Sequence, residues 1–188
     1  MFTELSPLLN GLNDIETIMD IGCGYGVPTA WLLERFPGAK VVGIDPDPGR
    51  ARVAARVAGP RASIKTGSAP DIPPVSQPAD LVMMLDIVHY LNDDALQLTF
   101  KNLFDRLKSG RQLIIRASIP PTRPTPWVWW LENLKLKLNR TPSHYRSAET
   151  LKTMLVETDF NVDLTKPSGA NGELVWFIAT KKISDERD

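Results

Sequence analysis

The sequence of 188 residues has one cysteine, two histidines and no excess of charge, with 22 acidic and 22 basic side chains. The single cysteine, Cys23, excludes a disulfide within the chain and fits a reducing compartment, so we expect a cytoplasmic protein. Without a basic excess, nothing indicates nucleic acid as a partner. No apolar run reaches the ~18–20 residues that span a bilayer, and no signal-peptide pattern opens the sequence.

Patterns of metal ligands are also missing. Neither histidine has a second ligand at the spacing of a metal site, and Asp45, Asp71 and Asp86 fall on three separate predicted loops. We therefore predict no metal site. The length suits one domain, residues 1–188. Few residues precede the first predicted strand. We therefore expect either that the insertion at residues 119–146 supplies the only lid over the site, or that the chain is part of a longer polypeptide.

Apolar runs alternate with helical patterns along the chain. The predicted strands are Glu16–Gly22, Lys40–Asp45, Ser63–Thr66, Asp80–Leu85, Gln112–Ser118, Asn161–Thr165 and Glu173–Lys182. The predicted helices are Val27–Phe36, Pro48–Ala58, Asp93–Leu107 and Ser147–Asp159, with Asn92 and Ser147 as N-terminal caps. This alternation predicts an α/β fold: a doubly wound, mostly parallel sheet of seven strands, with an antiparallel hairpin at its C-terminal edge.

A glycine loop follows the first strand, with Gly22, Gly24 and Gly26 in the spacing Gly-x-Gly-x-Gly. A strand, a glycine loop and a helix in this order bring the backbone close to a nucleotide-like ligand. Asp20 lies two residues before the first glycine. A carboxylate there disfavours a pyrophosphate and favours a cationic ligand. For Cys23, inside the loop, a small packing side chain is the favoured role over a reactive thiol.

Asp45 ends the second strand and is followed by Pro46. An acidic side chain at this position accepts hydrogen bonds from ribose hydroxyls in nucleotide-binding sheets. The alternative is that it caps the next helix. We favour the ribose role because the glycine loop accompanies it.

The ordered series of motifs resembles the class I S-adenosylmethionine-dependent methyltransferases. The series comprises Asp20-x-Gly22-x-Gly24-x-Gly26, Val41-Val-Gly-Ile-Asp45, Gly67-Ser-Ala-Pro-Asp-Ile-Pro73, Asp80-Leu-Val-Met-Met-Leu-Asp-Ile-Val-His-Tyr-Leu91 and Lys108-Ser-Gly-Arg-Gln-Leu-Ile-Ile115. The resemblance implies a Rossmann-like fold and S-adenosylmethionine as cofactor. It also implies that the glycines approach the methionine part, that Asp45 binds the ribose, and that Ser68 and Ala69 flank the adenine. Leu85 and Asp86 are then near the amino-acid end of the cofactor.

His89 is the candidate catalytic residue. It follows the fourth strand, at the edge where open α/β sheets place their reactive centre. The segment from Ile87 to Asp94 resembles that of small-molecule O-methyltransferases, in which a histidine deprotonates the substrate hydroxyl. A positioned imidazole contributes roughly 10²–10⁴ in rate to such a step. The alternative is a structural role, capping the next helix or bonding a backbone carbonyl.

The insertion holds several tryptophans on a predicted helix, including Trp127 and Trp130. We favour a lid that also shapes a pocket for an apolar or aryl acceptor. The alternatives are plain core packing, contact with a membrane surface, or docking of a carrier-bound substrate. The remaining candidates for substrate contact are Tyr90, His144, Tyr145 and Arg146. The more cautious interpretation of the last three is that they form the entry to the next helix.

We therefore predict methyl transfer from S-adenosylmethionine to a small or medium-sized acceptor, at oxygen, with His89 as the general base. Two alternatives stay open. One is a cofactor-binding module of the same fold without catalysis. The other is a nicotinamide-dependent oxidoreductase, against which the glycine spacing and Asp20 both count.

Overall fold

The computed structural model describes residues 1–120, 143–169 and 172–183. Seven strands form one sheet: β1 (Thr17–Ile21), β2 (Lys40–Asp45), β3 (Ala62–Thr66), β4 (Ala79–Leu85), β5 (Leu107–Ser118), β6 (Phe160–Ser168) and β7 (Leu174–Lys181). Their order is β3-β2-β1-β4-β5-β7-β6. The first five are paired in parallel, and β7 is antiparallel to both β5 and β6. The predicted mostly parallel sheet with an antiparallel C-terminal hairpin is confirmed.

Helices cover both faces of the sheet, in the order α1 (Phe2–Leu8), α2 (Val27–Arg35), α3 (Pro48–Ala58), α4 (Asp93–Arg106) and α5 (Ala148–Glu157). The predicted caps hold: Asn92 accepts from Ala95 N at 2.8 Å and Ser147 accepts from Thr150 N at 3.1 Å. These side chains satisfy N–H groups that the first turn of a helix leaves unpaired.

Strand β4 is the centre of the core, because all seven of its residues are buried. One face of the sheet packs with α1 and α2 through Leu5, Leu9 and Leu32. The opposite face packs with α4 and α5, where Phe100 and Leu155 are fully buried. A strand buried on both faces has an almost continuous apolar sequence, as this one does.

The fifth strand begins earlier than the sequence predicts. The predicted strand starts at Gln112, yet β5 starts at Leu107, directly after α4. The register changes here, since Ala79 is opposite Leu107 and Leu81 is opposite Gln112. The intervening residues bulge out. Lys108, within the bulge, donates from Nζ to the buried carboxylate of Asp80 at 2.7 Å, which stabilises the bulge. The same carboxylate accepts two backbone N–H groups at the start of β1.

Helix α1 is not predicted from the sequence. It has only seven residues and contains Pro7, so it carries no clear helical period. Leu5 and Leu9 nevertheless lie fully buried in the core. Trp127, Trp130 and the predicted lid helix lie outside the described residues. Within the described ranges, no helix is long and apolar enough to cross a membrane.

Candidate functional site

A cavity of about 560 Å³ opens at the carboxyl ends of β1, β2 and β4. This volume is within the ~300–1,000 Å³ typical of small-molecule sites. The structure brings most of the predicted cofactor residues to its wall: Gly22, Gly24, Asp45, Pro46, Ser68, Ala69, Leu85 and Asp86, together with Tyr90. Asp20, Cys23, Gly26, His89, His144, Tyr145 and Arg146 are not among its lining residues.

The glycine loop is tied to the end of β2. Gly22 N and Cys23 N donate to Ile44 O at 2.8 and 3.0 Å, and Gly24 N donates to Asp45 Oδ2 at 3.0 Å. Gly24 has a φ of +57°, and a Cβ there would have no atom within 4 Å. The loop backbone therefore faces open cavity space at this glycine.

Gly26 is needed for helix packing and does not line the cavity. A Cβ at this position would lie 2.7 Å from Ala54 Cα in α3, and its φ is +80°. Only glycine allows α2 to start this close to α3. Gly26 thus serves the packing of the loop, although it belongs to the same motif as Gly24.

Asp20 lies beneath the loop and is 1% exposed. Thr29 Oγ1 donates to its Oδ2 at 2.5 Å. Burial raises the pKa of Asp20 to about 6, with a further upward contribution from the Asp45 charge, against the lowering effect of the Thr29 hydrogen bond. The same burial, with Asp20 and Asp45 nearby, raises the pKa of the Cys23 thiol to about 12. Cys23 is therefore a protonated thiol at neutral pH, which suits a packing role.

Asp45 is the buried carboxylate of the cavity wall, at 4% exposure. Besides Gly24 N, it accepts Asp47 N at 3.0 Å on the other oxygen. The capping role on α3 belongs to Asp47, which accepts Arg50 N at 2.9 Å. Each carboxylate oxygen of Asp45 retains a further lone pair, so hydroxyl donors in the cavity have acceptors available.

The far end of the cavity is formed by the segment after β3. Ala69 is buried, whereas Ser68 is exposed and its hydroxyl donates to Ala69 O at 3.0 Å. Arg50 from α3 also lines the wall, and its guanidinium carbon lies 5.6 Å from the Tyr25 ring centroid. The wall of the cavity therefore includes one cation, next to the glycine loop.

Asp86 follows β4 and has a φ of +59°, a left-handed conformation that aspartate adopts more readily than most residues. Arg116 in β5 donates to both of its carboxylate oxygens, with Nε to Oδ1 at 2.8 Å and the other bond from a terminal guanidinium nitrogen to Oδ2. The Asp86 backbone N–H in turn donates to Arg116 O at 2.8 Å. Asp86 thus reaches the cavity as one half of a bidentate ion pair.

His89 lies in the 3₁₀ turn Val88–Tyr90, next to Tyr90 of the cavity wall. Its ring stacks on Tyr145, with centroids 5.5 Å apart and planes 9° apart. Within the described residues, His89 Nδ1 is a buried atom without a hydrogen-bond partner. Burial lowers the pKa of His89, and the Asp86 charge opposes that shift. The imidazole is therefore neutral at pH 7.

Arg146 is buried, and its guanidinium binds the chain that surrounds His89. It donates to Leu91 O at 2.7 Å and His144 O at 2.9 Å, and it pairs with Asp93 Oδ1 at 2.6 Å. His144 N donates to His89 O at 2.7 Å. These contacts fix residues 143–147 against the turn that carries His89.

Three residues that contribute to the site are not predicted from the sequence: Arg50, Arg116 and Thr29. Arg50 could be found from its place in the first turn after Asp45. Arg116 is a charged residue within the apolar run of β5, which is itself a signal that the side chain has a partner. Thr29 carries no signal, because its bond to Asp20 depends on how α2 packs.

Comparison with known proteins agrees with this geometry. Residues 18–110 match a family model described as a methyltransferase domain. A trans-aconitate 2-methyltransferase from Azoarcus sp. (strain BH72) is 35% identical over 125 residues, covering 63% of this chain and 48% of the relative. The erythromycin 3''-O-methyltransferase of Saccharopolyspora erythraea is 32% identical over 116 residues, covering 58% of this chain and 37% of the relative. The chain thus spans about half the length of these relatives, or less.

A solved structure of similar size has the same fold. It is a putative S-adenosylmethionine dependent methyltransferase from Listeria monocytogenes, with a TM-score of 0.77 and 20% sequence identity. The likeness covers 97% of this chain and 98% of that one.

Proposed function

Because the chain belongs to the class I S-adenosylmethionine-dependent methyltransferases, we propose that it methylates an oxygen of a small or medium-sized apolar or aryl acceptor, with His89 as the general base. The observation that carries the base role is the place of His89 in the turn after β4, next to the cavity residue Tyr90, where burial lowers the pKa of its imidazole. The neutral imidazole is the form that removes a proton from a hydroxyl.

The cavity residues fit the cofactor. Asp45 is placed to accept hydrogen bonds from ribose hydroxyls, and Ala69 with Ile44 gives apolar wall for an adenine. Gly24 leaves room for a ligand against the backbone, and Asp86 supplies negative charge for the amino-acid end. Bound S-adenosylmethionine supplies an activated methyl group, so the protein's main tasks are alignment and exclusion of water.

Negative charge around the cavity supports binding of a cation. Asp45 lines the wall and Asp20 lies buried beneath the glycine loop, whereas the charge of Asp86 is balanced by Arg116. The charges of Asp45 and Asp20 favour a sulfonium over a neutral thioether, which assists release of S-adenosylhomocysteine after transfer.

A small-molecule acceptor is supported by the relatives, two of which are named for trans-aconitate and erythromycin. Tyr90, Tyr145 and His144 are the proposed acceptor contacts among the described residues, together with Trp127 and Trp130 from the insertion. Arg146 joins this set through the segment it holds in place. A carrier-bound acceptor is a further proposal, as is a cytoplasmic location, which a free buried cysteine suits.

The test is transfer of labelled methyl from S-adenosylmethionine to a panel of acceptors: a phenol, an aliphatic alcohol, trans-aconitate and an aryl amine. We expect label on a hydroxyl oxygen, and loss of that transfer in His89→Ala. Transfer only to the amine or to a carboxylate would overturn oxygen methylation by this base. Tight S-adenosylhomocysteine binding without transfer to any acceptor would favour the non-catalytic alternative.

A further inference from the structure

A line of linked side chains runs from the cavity across β5 and β7 to the N-terminal helix. It begins at Asp86, whose carboxylate is held at both oxygens by Arg116. Among residues 1–120, 143–169 and 172–183, Arg116 is the one side chain that hydrogen-bonds this carboxylate, so Asp86 would be free to adopt other rotamers without it. The pair therefore determines how the negative charge faces the cavity.

Arg116 is itself held from its other side. It is directly opposite Trp176 in the β5–β7 register, and its guanidinium carbon lies 5.4 Å from the indole centroid. Trp176 is 1% exposed. A flat guanidinium on an aromatic face gains cation–π attraction and loses freedom of rotation. The buried indole thus gives Arg116 a fixed platform.

Glu4 of α1 fixes that platform. Trp176 Nε1 donates to Glu4 Oε2 at 3.1 Å, and the same carboxylate accepts Ser168 Oγ at 2.6 Å and Gly169 N at 2.9 Å. These hydrogen bonds from Ser168, Gly169 and Trp176 lower the pKa of Glu4 to about 2. Glu4 is therefore a carboxylate at every pH at which the enzyme would work.

We propose that Arg116, Trp176 and Glu4 form a positioning network that orients the Asp86 carboxylate toward the amino-acid end of the cofactor. None of the three is among the cavity's lining residues, so they act through Asp86. The inference rests on the proposed function for the placing of the cofactor's amino-acid end beside Asp86. It assigns to α1, a helix without a place in the nucleotide-binding motifs, control over cofactor affinity.

Two ligands separate this role from a merely structural one. S-adenosylhomocysteine has the amino-acid end, and 5′-methylthioadenosine lacks it while keeping the adenosine. Arg116→Met should weaken S-adenosylhomocysteine about tenfold, the size expected for loss of a coupled charge contact, and leave methylthioadenosine within about twofold. Arg116→Lys keeps the charge without the bidentate geometry, so it should recover part of the loss.

An ion pair at the start of β4, the end of that strand away from the cavity, provides the matched control. Lys108 Nζ lies 2.7 Å from the buried carboxylate of Asp80, and neither residue lines the cavity. Lys108→Met should lower stability and leave both ligand affinities unchanged. Glu4→Gln tests the distant end of the network without removing a core side chain. It should weaken S-adenosylhomocysteine about two- to threefold in the wild-type background and have no effect in Arg116→Met, since coupled residues are not additive.

Calorimetric titration of the whole chain with the two ligands decides the matter. Selective loss of S-adenosylhomocysteine affinity in the Arg116 and Glu4 variants supports the network. Equal loss of both ligands, or additive effects of Glu4→Gln and Arg116→Met, would overturn it and leave the proposed function intact. Failure of the wild-type chain to bind either ligand would instead remove the proposed cofactor site.

Discussion

Gly24 N donates a hydrogen bond of 3.0 Å to Asp45 Oδ2, which joins the glycine loop to the acidic residue at the end of β2. The two motifs are therefore one structural unit. The carboxylate that is proposed to bind the ribose also holds the loop that is proposed to face the methionine part of the cofactor. Loss of this side chain should consequently affect both ends of the bound molecule.

Asp45→Ala should weaken S-adenosylhomocysteine binding by roughly 10- to 100-fold, because hydrogen bonds to a charged group each contribute ~1.5–3 kcal/mol. Asp47→Ala is the matched control. It removes the cap of α3 and should therefore lower stability, and Asp47 is not itself among the lining residues of the cavity. Calorimetry and urea unfolding should separate the two variants. Equal affinity in Asp45→Ala and wild type would exclude Asp45 from the site.

His89→Ala should lower turnover by roughly 10²- to 10⁴-fold while S-adenosylhomocysteine affinity stays near that of wild type. The wild-type rate should fall on the acid side with a midpoint below 6.5, because burial lowers the pKa of His89 from that value and only the neutral imidazole accepts a proton. A pH profile of kcat checks the direction. An acid midpoint above 6.5, or undiminished turnover in the variant, contradicts the base role.

Asp20 should make cofactor affinity depend on the charge of the ligand and on pH. Its pKa is raised to about 6, so the carboxyl is mostly neutral at pH 5 and mostly ionised at pH 7. S-adenosylmethionine carries a sulfonium and should therefore bind more tightly as the pH rises between these values, whereas S-adenosylhomocysteine should respond less.

The pKa of His89 is lowered from 6.5, so its charge also changes on the acid side of neutrality, and Asp20→Asn is the necessary comparison for that measurement. The substitution should remove most of the difference between the two ligands' pH dependences. If the difference persists unchanged in Asp20→Asn, its source is another group and the role assigned to the buried carboxyl is wrong.

Gly26→Ala should destabilise the fold more than Gly11→Ala does. Both glycines have positive φ, at +80° and +86°, but a Cβ on Gly26 would lie 2.7 Å from Ala54 Cα, whereas a Cβ on Gly11 would have no atom within 4 Å. Strain alone costs ~1–2 kcal/mol, and overpacking adds roughly 1–3 kcal/mol. Urea unfolding of the two variants gives the comparison. Equal free energies of unfolding would show that α2 and α3 relax apart without cost.

The sheet could be predicted because its signals are local. Each signal lies within a few residues of the element that it predicts: the apolar run of β4, the caps Asn92 and Ser147, and the glycine after β1. Helix α1 could not be predicted in this way, because its seven residues include Pro7 and owe their conformation to the burial of Leu5 and Leu9. The extended start of β5 likewise depends on Asp80, a partner distant in sequence.

The residues of the candidate site also fall into two groups, those that a local motif predicts and those that depend on tertiary contacts. Asp45 and Gly24 occupy fixed places after their strands, so a motif locates them on the cavity wall. Arg116 and Glu4 depend on register between β5 and β7 and on the docking of α1, which no spacing along the chain encodes. Tertiary partners of a motif, unlike the motif itself, become visible only in the folded chain.

The central claim is that the cavity at the ends of β1, β2 and β4 binds S-adenosylmethionine and its product. Calorimetric titration of the purified chain with S-adenosylhomocysteine, alongside NADH, tests it most directly. We expect one molecule of S-adenosylhomocysteine to bind each chain, with affinity reduced in Asp45→Ala, and no heat from NADH. Binding of NADH with no response to S-adenosylhomocysteine would contradict the claim and favour nicotinamide chemistry in this cavity.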